Sequence, residues 1–212
     1  MDIGQWTVIV LSALFLAWFL AGSATNRRRG DQILRWVQGG TKPLGRVSEA
    51  RRIRGSAVQL TIKDAAVLFR QIDLIVALEP RENLPLWLYN HILGKRDELV
   101  IQAKLRSPPQ QELEINREGA LTTADKRASD VSQLNTIGSS AGNYTLESSK
   151  GMDPAMLDFL EIFLEKYSSA VKHFSLKRSP PHVQVNLLLS PLLDNDPELF
   201  FLDLQNLLVQ EK

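Results

Sequence analysis

Nineteen consecutive residues without a charge, Trp6 to Ala24 in the run WTVIVLSALFLAWFLAGSA, constrain this chain more than any other feature. As a helix the run extends ~28 Å at 1.5 Å per residue, close to the ~30 Å of a bilayer's hydrocarbon core. A helix satisfies its backbone amides internally, and leucine, isoleucine, valine and phenylalanine favour transfer into lipid. Two other kinds of segment share this composition. A core helix of a soluble domain seldom stays apolar on all faces for such a length. A cleaved signal peptide would place small residues where Ala21-Gly22-Ser23-Ala24 stands, but would also carry lysine or arginine ahead of the run, where this chain has Met1-Asp2-Ile3-Gly4-Gln5. The expectation is therefore a retained, single transmembrane helix within residues 1–25.

Arg27, Arg28 and Arg29 follow the run directly. Such clusters stay on the cytoplasmic side, which sets the expected topology: amino terminus outside, carboxy-terminal domain in the cytoplasm. Residues 27–54 hold nine basic and two acidic side chains, +7, whereas residues 55–212 hold 16 basic and 21 acidic ones, −5, within an overall charge of +1. A basic collar over residues 26–54 is attracted to anionic headgroups at about 1 kcal/mol per lysine or arginine, screened within ~8 Å at physiological salt. Arg27, Arg28, Arg29, Arg35 and Trp36 are the expected membrane-surface residues. Nucleic acid is a poorer partner for a near-neutral chain lacking interleaved aromatics or a reading helix. Ala13, Ala17 and Ala21 recur at four-residue spacing, so one face of the span is small enough for close packing in a homo-oligomer. Within the collar, Asp31 to Gln38 reads as a short separate helix, capped by Asp31 and stopped by Gly39-Gly40. Trp36 on that helix either sits at headgroup depth or packs on the domain.

Beyond the collar the periods change. Leu44 to Arg54 is too charged for a central strand but admissible at an edge. Ala57 to Lys63 alternates apolar and polar residues as a half-buried strand does, and Ile72 to Leu78 is a second strand. A helical turn is expected over Asp64 to Phe69. Asn83 to Gly94, NLPLWLYNHILG, has the proline and glycine punctuation of a helix. Its Trp87, Leu88 and Tyr89 suit either core packing, the favoured reading, or an interfacial helix on the membrane. Glu98 to Arg106 and Glu112 to Asn116 are expected as two strands joined by the turn around Pro108-Pro109. From Glu118 to Lys150, serine, threonine, glycine, asparagine and alanine make up 19 of 33 residues, and a mobile loop is expected over 118–150. It contains the glycosylation-type triplet Asn143-Tyr144-Thr145, which the expected topology would keep from use. Asp153-Pro154 and Asp196-Pro197 open two amphipathic helices, and a hairpin over Val171 to Leu189 lies between them. The fold class that follows is α+β: a transmembrane helix, then a mainly antiparallel sheet with flanking helices, residues 55–212 forming the globular domain.

Chemical motifs are scarce. The chain has no cysteine, which rules out disulfides and thiolate chemistry and fits a reducing compartment. His91, His173 and His182 have no metal-ligand spacing, and no nucleophile elbow, phosphate loop or dinucleotide turn occurs. No metal and no cofactor is therefore expected. Asp158, Glu161 and Glu165 fit the solvated face of a helix, and Asp194, Asp196 and Glu198 fit a helix start better than a calcium loop. Glu79-Pro80-Arg81-Glu82 is either a functional loop or, the favoured reading, a salt-bridged turn. The leading expectation is a single-pass membrane protein whose cytoplasmic domain binds a protein partner at the membrane surface. A membrane-bound enzyme with an acidic site, or an extracytoplasmic ligand binder, are the alternatives.

Overall fold

The computed structural model describes residues 2–41, 44, 49–54, 57–63, 65, 68–117, 133–139, 142–148 and 154–209. The fold is α+β, with one long amino-terminal helix set on an antiparallel sheet. Helix α1 runs unbroken from Ile3 to Gly40, 38 residues, or ~57 Å. Asp2 opens it, its backbone N–H donating to Gln5 Oε1 at 3.2 Å. Thr41 closes it, the hydroxyl and backbone N–H both donating to the Val37 carbonyl at 2.8 and 2.9 Å. The separate helix expected over 31–38 is thus a correction: Asp31 lies inside α1 and caps nothing. Thr25 to Arg29 contain no proline and three good helix formers, so nothing interrupts the ladder between the apolar run and Gly39-Gly40.

Among the described residues the sheet has nine strands in the order β1-β2-β3-β4-β9-β8-β5-β7-β6, every neighbouring pair antiparallel. Strands β1 (Glu49–Arg54), β2 (Ala57–Lys63), β3 (Phe69–Ala77) and β4 (Glu98–Leu105) form a meander, interrupted after β3 by α2 (Leu84–Ile92). Strand β5 is Leu113–Arg117, and α3 (Pro154–Tyr167) leads into β8 (Val171–Leu176) and β9 (Val183–Leu188). The short α4 (Leu189–Leu192) and α5 (Pro197–Val209) end the described chain. Strands β4 and β5 are not neighbours as expected. The β8–β9 hairpin enters between them, Ile101 pairing with Val185 and Ile115 with Phe174, and it is this pairing that separates them. The turn expected before β3 falls partly on 64, 66 and 67, outside the described residues, and Phe69 already belongs to β3. The Asp153 cap lies outside them as well.

Residues 133–139 and 142–148, expected within a loop, form strands β6 (Gln133–Ser139) and β7 (Gly142–Ser148). Tyr144 and Leu146 on β7 are buried on the inner face, and the Tyr144 hydroxyl donates to the Ser168 carbonyl at 2.8 Å. The Asn143-Tyr144-Thr145 triplet is therefore part of a strand. The remainder of that stretch, 118–132, 140–141 and 149–150, lies outside the described residues.

One face of the sheet supplies the core. Leu60 and Ile62, Ile72 and Leu74, Leu99 and Ile101, and Val183 and Val185 point into it from four strands, as the two-residue period requires. The last turns of α1, with α3 and α5, cover this face. Trp36 belongs to this layer: its indole Nε1 donates to the Asn195 carbonyl at 2.9 Å, and its ring lies 5.9 and 5.8 Å from Phe200 and Phe201. Gly40 makes the approach possible, because a Cβ there would stand 2.6 Å from both Phe201 Cδ2 and the Pro197 carbonyl oxygen. The opposite face is polar. On it Asp73 accepts hydrogen bonds from Thr61 Oγ1, Gln71 Nε2 and Gln59 Nε2 at 2.6, 2.6 and 3.1 Å, which offset the cost of burying its carboxylate.

Two buried histidines tie the strands and titrate below the ordinary imidazole range. Burial depresses His182, whose Nδ1 accepts the Leu105 N–H at 2.9 Å and is therefore unprotonated. Burial also depresses His173, with Lys177 adding to the effect and Glu114 opposing it. The unfolded chain binds more protons than the folded one wherever pH lies between the depressed values and about 6.5, so stability falls as pH drops through that window. Urea midpoints should therefore decrease from about pH 7.5 to about pH 5.5, and His182→Gln should shrink that decrease.

Candidate functional site at the root of the long helix

Helix α1 is long and apolar enough to cross a membrane, and its apolar stretch lies outside the core: Val8, Leu11, Phe15 and Phe19 are exposed. The first residue of α1 held by the body is Trp18. Its Nε1 donates to the Arg81 carbonyl at 2.9 Å, and its ring lies 5.3 Å from that of Trp87 on α2. One turn later Gly22 presses on the same segment: a Cβ there would come within 2.3 Å of the Arg81 carbonyl oxygen. Another turn on, Asn26 splices helix to body. Its Nδ2 donates to the Glu79 carbonyl at 2.9 Å and to Glu82 Oε2 at 2.7 Å, while its Oδ1 accepts from Arg81 Nη1 at 3.0 Å.

Asp97, just ahead of β4, closes the joint. Arg81 grips its carboxylate in a two-pronged contact, both bonds 2.9 Å, Arg29 reaches it at 2.7 Å, and the Glu79 backbone N–H donates to it at 2.8 Å. Burial alone would raise the Asp97 pKa, but the Arg81 hydrogen bonds, the Glu79 N–H and the charges of Arg81 and Arg29 together hold it below the usual value. Glu79-Pro80-Arg81-Glu82 is thus the salt-bridged turn, and a latch for α1.

Helix α2 stands beside this joint, with Asn83 Oδ1 accepting the Leu86 N–H at 3.1 Å as its cap. The expected core packing of residues 83–94 is corrected, since α2 buries no residue. Leu86, Leu88, Tyr89, Ile92 and Leu93 are 45, 49, 61, 76 and 48% exposed, and Trp87 faces Trp18 rather than the sheet. The connection between β3 and β4 carries α2 against α1, where Trp87 meets Trp18.

A cleft of about 420 Å³ opens between α1 and the start of the meander. Phe19, Ser23, Arg27, Gly30 and Leu34 line its helix side, and Val58, Leu60, Val76 and Leu78 its apolar floor. Arg51, Asp31 and Glu82 add charge at its border. The small residues Ser23 and Gly30 leave the stripe hollow.

Of the five expected membrane-surface residues, Arg27, Arg28 and Arg35 are exposed, Arg29 is drawn to Asp97, and Trp36 is buried in the core, which corrects its place at headgroup depth. Ala13, Ala17 and Ala21 are exposed, on a different face of α1 from Trp18, Gly22, Asn26 and Arg29. Asp158, Glu161 and Glu165 are solvated, and Asp196 caps α5, accepting from the Glu198 and Leu199 N–H groups at 2.8 and 3.2 Å. Among the described residues no group of three or more histidine, aspartate or glutamate side chains could hold a metal ion. Sequence reasoning missed Asp97, Asn26 and Gly22. The available signal was their position at the borders of an apolar run and a strand, where an isolated polar or minimal residue is unremarkable.

No family model matches the chain, and no curated protein matches it.

Replacing Asp97 by asparagine removes the charge that Arg81 and Arg29 share while keeping the shape. Arg29 remains 42% exposed, so the loss falls chiefly on Arg81 and should be about 3 kcal/mol of folding stability. Thermal unfolding of the detergent-solubilised chain should show the lower midpoint, and indole fluorescence should report a loosened Trp18–Trp87 contact.

Proposed function

We propose that the protein is a single-pass membrane protein, amino terminus outside, whose cytoplasmic domain sits on the bilayer and binds a protein partner there without catalysing a reaction. The observation that carries this reading is the way α1 is held. From Ile3 to Ala17 the helix is free of the body, ~22 Å of length against the ~30 Å of a hydrocarbon core. A bilayer crossed by α1 must then reach some two turns further, to about Ser23. That depth takes in the Trp18–Trp87 pair and the exposed apolar side of α2, with Tyr89 suited to the interface. Arg27 and Arg28, both exposed, follow at headgroup level, and their charge favours the cytoplasmic side. The grip on Trp18, Gly22, Asn26 and Arg29 also makes this part of α1 a component of the fold, which supports retention over cleavage.

The partner surface is on the helical layer. Phe159 and Ile162 of α3 and Leu199 and Leu202 of α5 are exposed, on helices joined by the Lys166–Asp203 ion pair at 2.6 Å. Exposed Asp158, Glu161, Glu165 and Glu198 border them, so a partner with an apolar ridge flanked by basic residues is the best fit.

The cysteine-free chain makes orientation directly testable. Asp2→Cys should react with a membrane-impermeant maleimide on intact cells and Ser179→Cys only after lysis; the reverse pattern rejects the orientation. Ile162→Asp with Leu202→Asp should abolish crosslinks to a partner in membranes while leaving the unfolding midpoint and membrane fractionation unchanged. Crosslinks that survive reject this surface.

A further inference from the structure

The cleft between α1 and β1–β3 shares Asn26 and Glu82 with the joint, but its apolar floor belongs to neither the joint nor the exposed helical layer. It has the features of a lipid site. Its floor is made of residues from the core-facing side of the sheet, Val58 and Leu60 on β2 and Val76 on β3, continued by Leu78, left open because the α1 stripe above them carries Ser23 and Gly30. Its volume of about 420 Å³ lies within the range of small-ligand sites. One end is formed by Phe19, which belongs to the exposed apolar stretch of α1, so hydrocarbon already lying along that helix enters without crossing water. The border carries two cations, Arg27 and Arg51, and two carboxylates, Asp31 and Glu82. Glu82 accepts the Asn26 amide at 2.7 Å, and Arg27, Arg51 and Asp31 have no counter-charge among the described residues.

We infer that this cleft holds one zwitterionic glycerophospholipid, an acyl chain lying on Val58, Leu60, Val76 and Leu78, its phosphate between Arg27 and Arg51, and its ammonium facing Asp31 and Glu82. The inference rests on the membrane-anchored reading. Charge selects the headgroup: a border with equal numbers of both signs matches a headgroup with both signs, whereas a purely anionic one would leave its negative charge beside two carboxylates. Arg27 stands one turn past Ser23, the end of the hydrocarbon on the depth argument above, which is the level of lipid phosphates.

The test uses the full chain reconstituted into phosphatidylethanolamine–phosphatidylcholine vesicles doped with a phosphatidylethanolamine carrying a diazirine on its acyl chain, followed by flotation, irradiation and peptide mass mapping. Labels are expected on the peptides containing Val58–Leu60 and Val76–Leu78. Ala50→Trp, which fills the cleft from an exposed edge position, should abolish them. Arg27→Gln and Arg51→Gln should each lower them about fivefold. Arg28→Gln, away from the cleft, should leave them unchanged. The equivalent diazirine phosphatidylglycerol should label these peptides less. A chain that floats but is labelled only within residues 3–20, or is labelled equally with Ala50→Trp or better by the anionic lipid, overturns the site alone. A chain that does not float overturns the anchoring and the site with it.

Discussion

A single buried carboxylate organises the junction on which the architecture depends. Asp97 is two per cent exposed, at the point where β4 begins, and it is reached from two directions: by Arg81 from the turn after β3 and by Arg29 from the long helix. An isolated buried charge is costly, so its presence requires partners on every side. Supplying those partners fixes where the helix stands, how the turn is folded and where β4 starts. Gly22 and Trp18 then bring the helix into contact at backbone distance, and Asn26 fills the remaining hydrogen-bonding positions.

The helix is therefore used twice along its length. Its carboxy-terminal turns are ordinary core, with Ile33, Trp36 and Val37 buried against the sheet and α5. Its amino-terminal turns carry exposed aliphatic and aromatic side chains on all sides. The stretch from Trp18 to Leu34 has a mixed environment, and both the aromatic contact with α2 and the cleft above β2 and β3 lie along it. The polar chemistry of this junction is concentrated where the helix passes from its exposed apolar stretch to its buried turns.

What could be read from the sequence was what local period determines. Ala57–Lys63 alternates strictly and is β2 with those bounds, while the three- and four-residue spacing of Met156, Leu160, Phe163 and Tyr167 is the buried side of α3. The junction was not readable, because Arg29 and Asp97 are 68 residues apart and neither carries a mark of the other. The insertion of β9 and β8 between β4 and β5 is likewise a long-range choice, made by Val185 and Phe174 rather than by the turn at Pro108-Pro109. Strand β7 was hidden by composition: threonine, serine and asparagine suggested a loop, and the inward Tyr144 and Leu146 were too few to display a period alone. At Trp36, an aromatic next to a basic collar fitted either the membrane surface or the domain, and only the fold supplies the rings of Phe200 and Phe201 that decide it.

The unbroken course of α1 has a mechanical consequence. With its helical assignment continuous from Ile3 to Gly40 and its lower half clasped to the body, a tilt of the rod is passed to the sheet through the junction. Under the proposed anchoring, a thinner or thicker bilayer that changes the inclination of the rod swings the whole domain through the same angle. Lipid composition would then set how far α3 and α5 are carried from the surface, as a lever does.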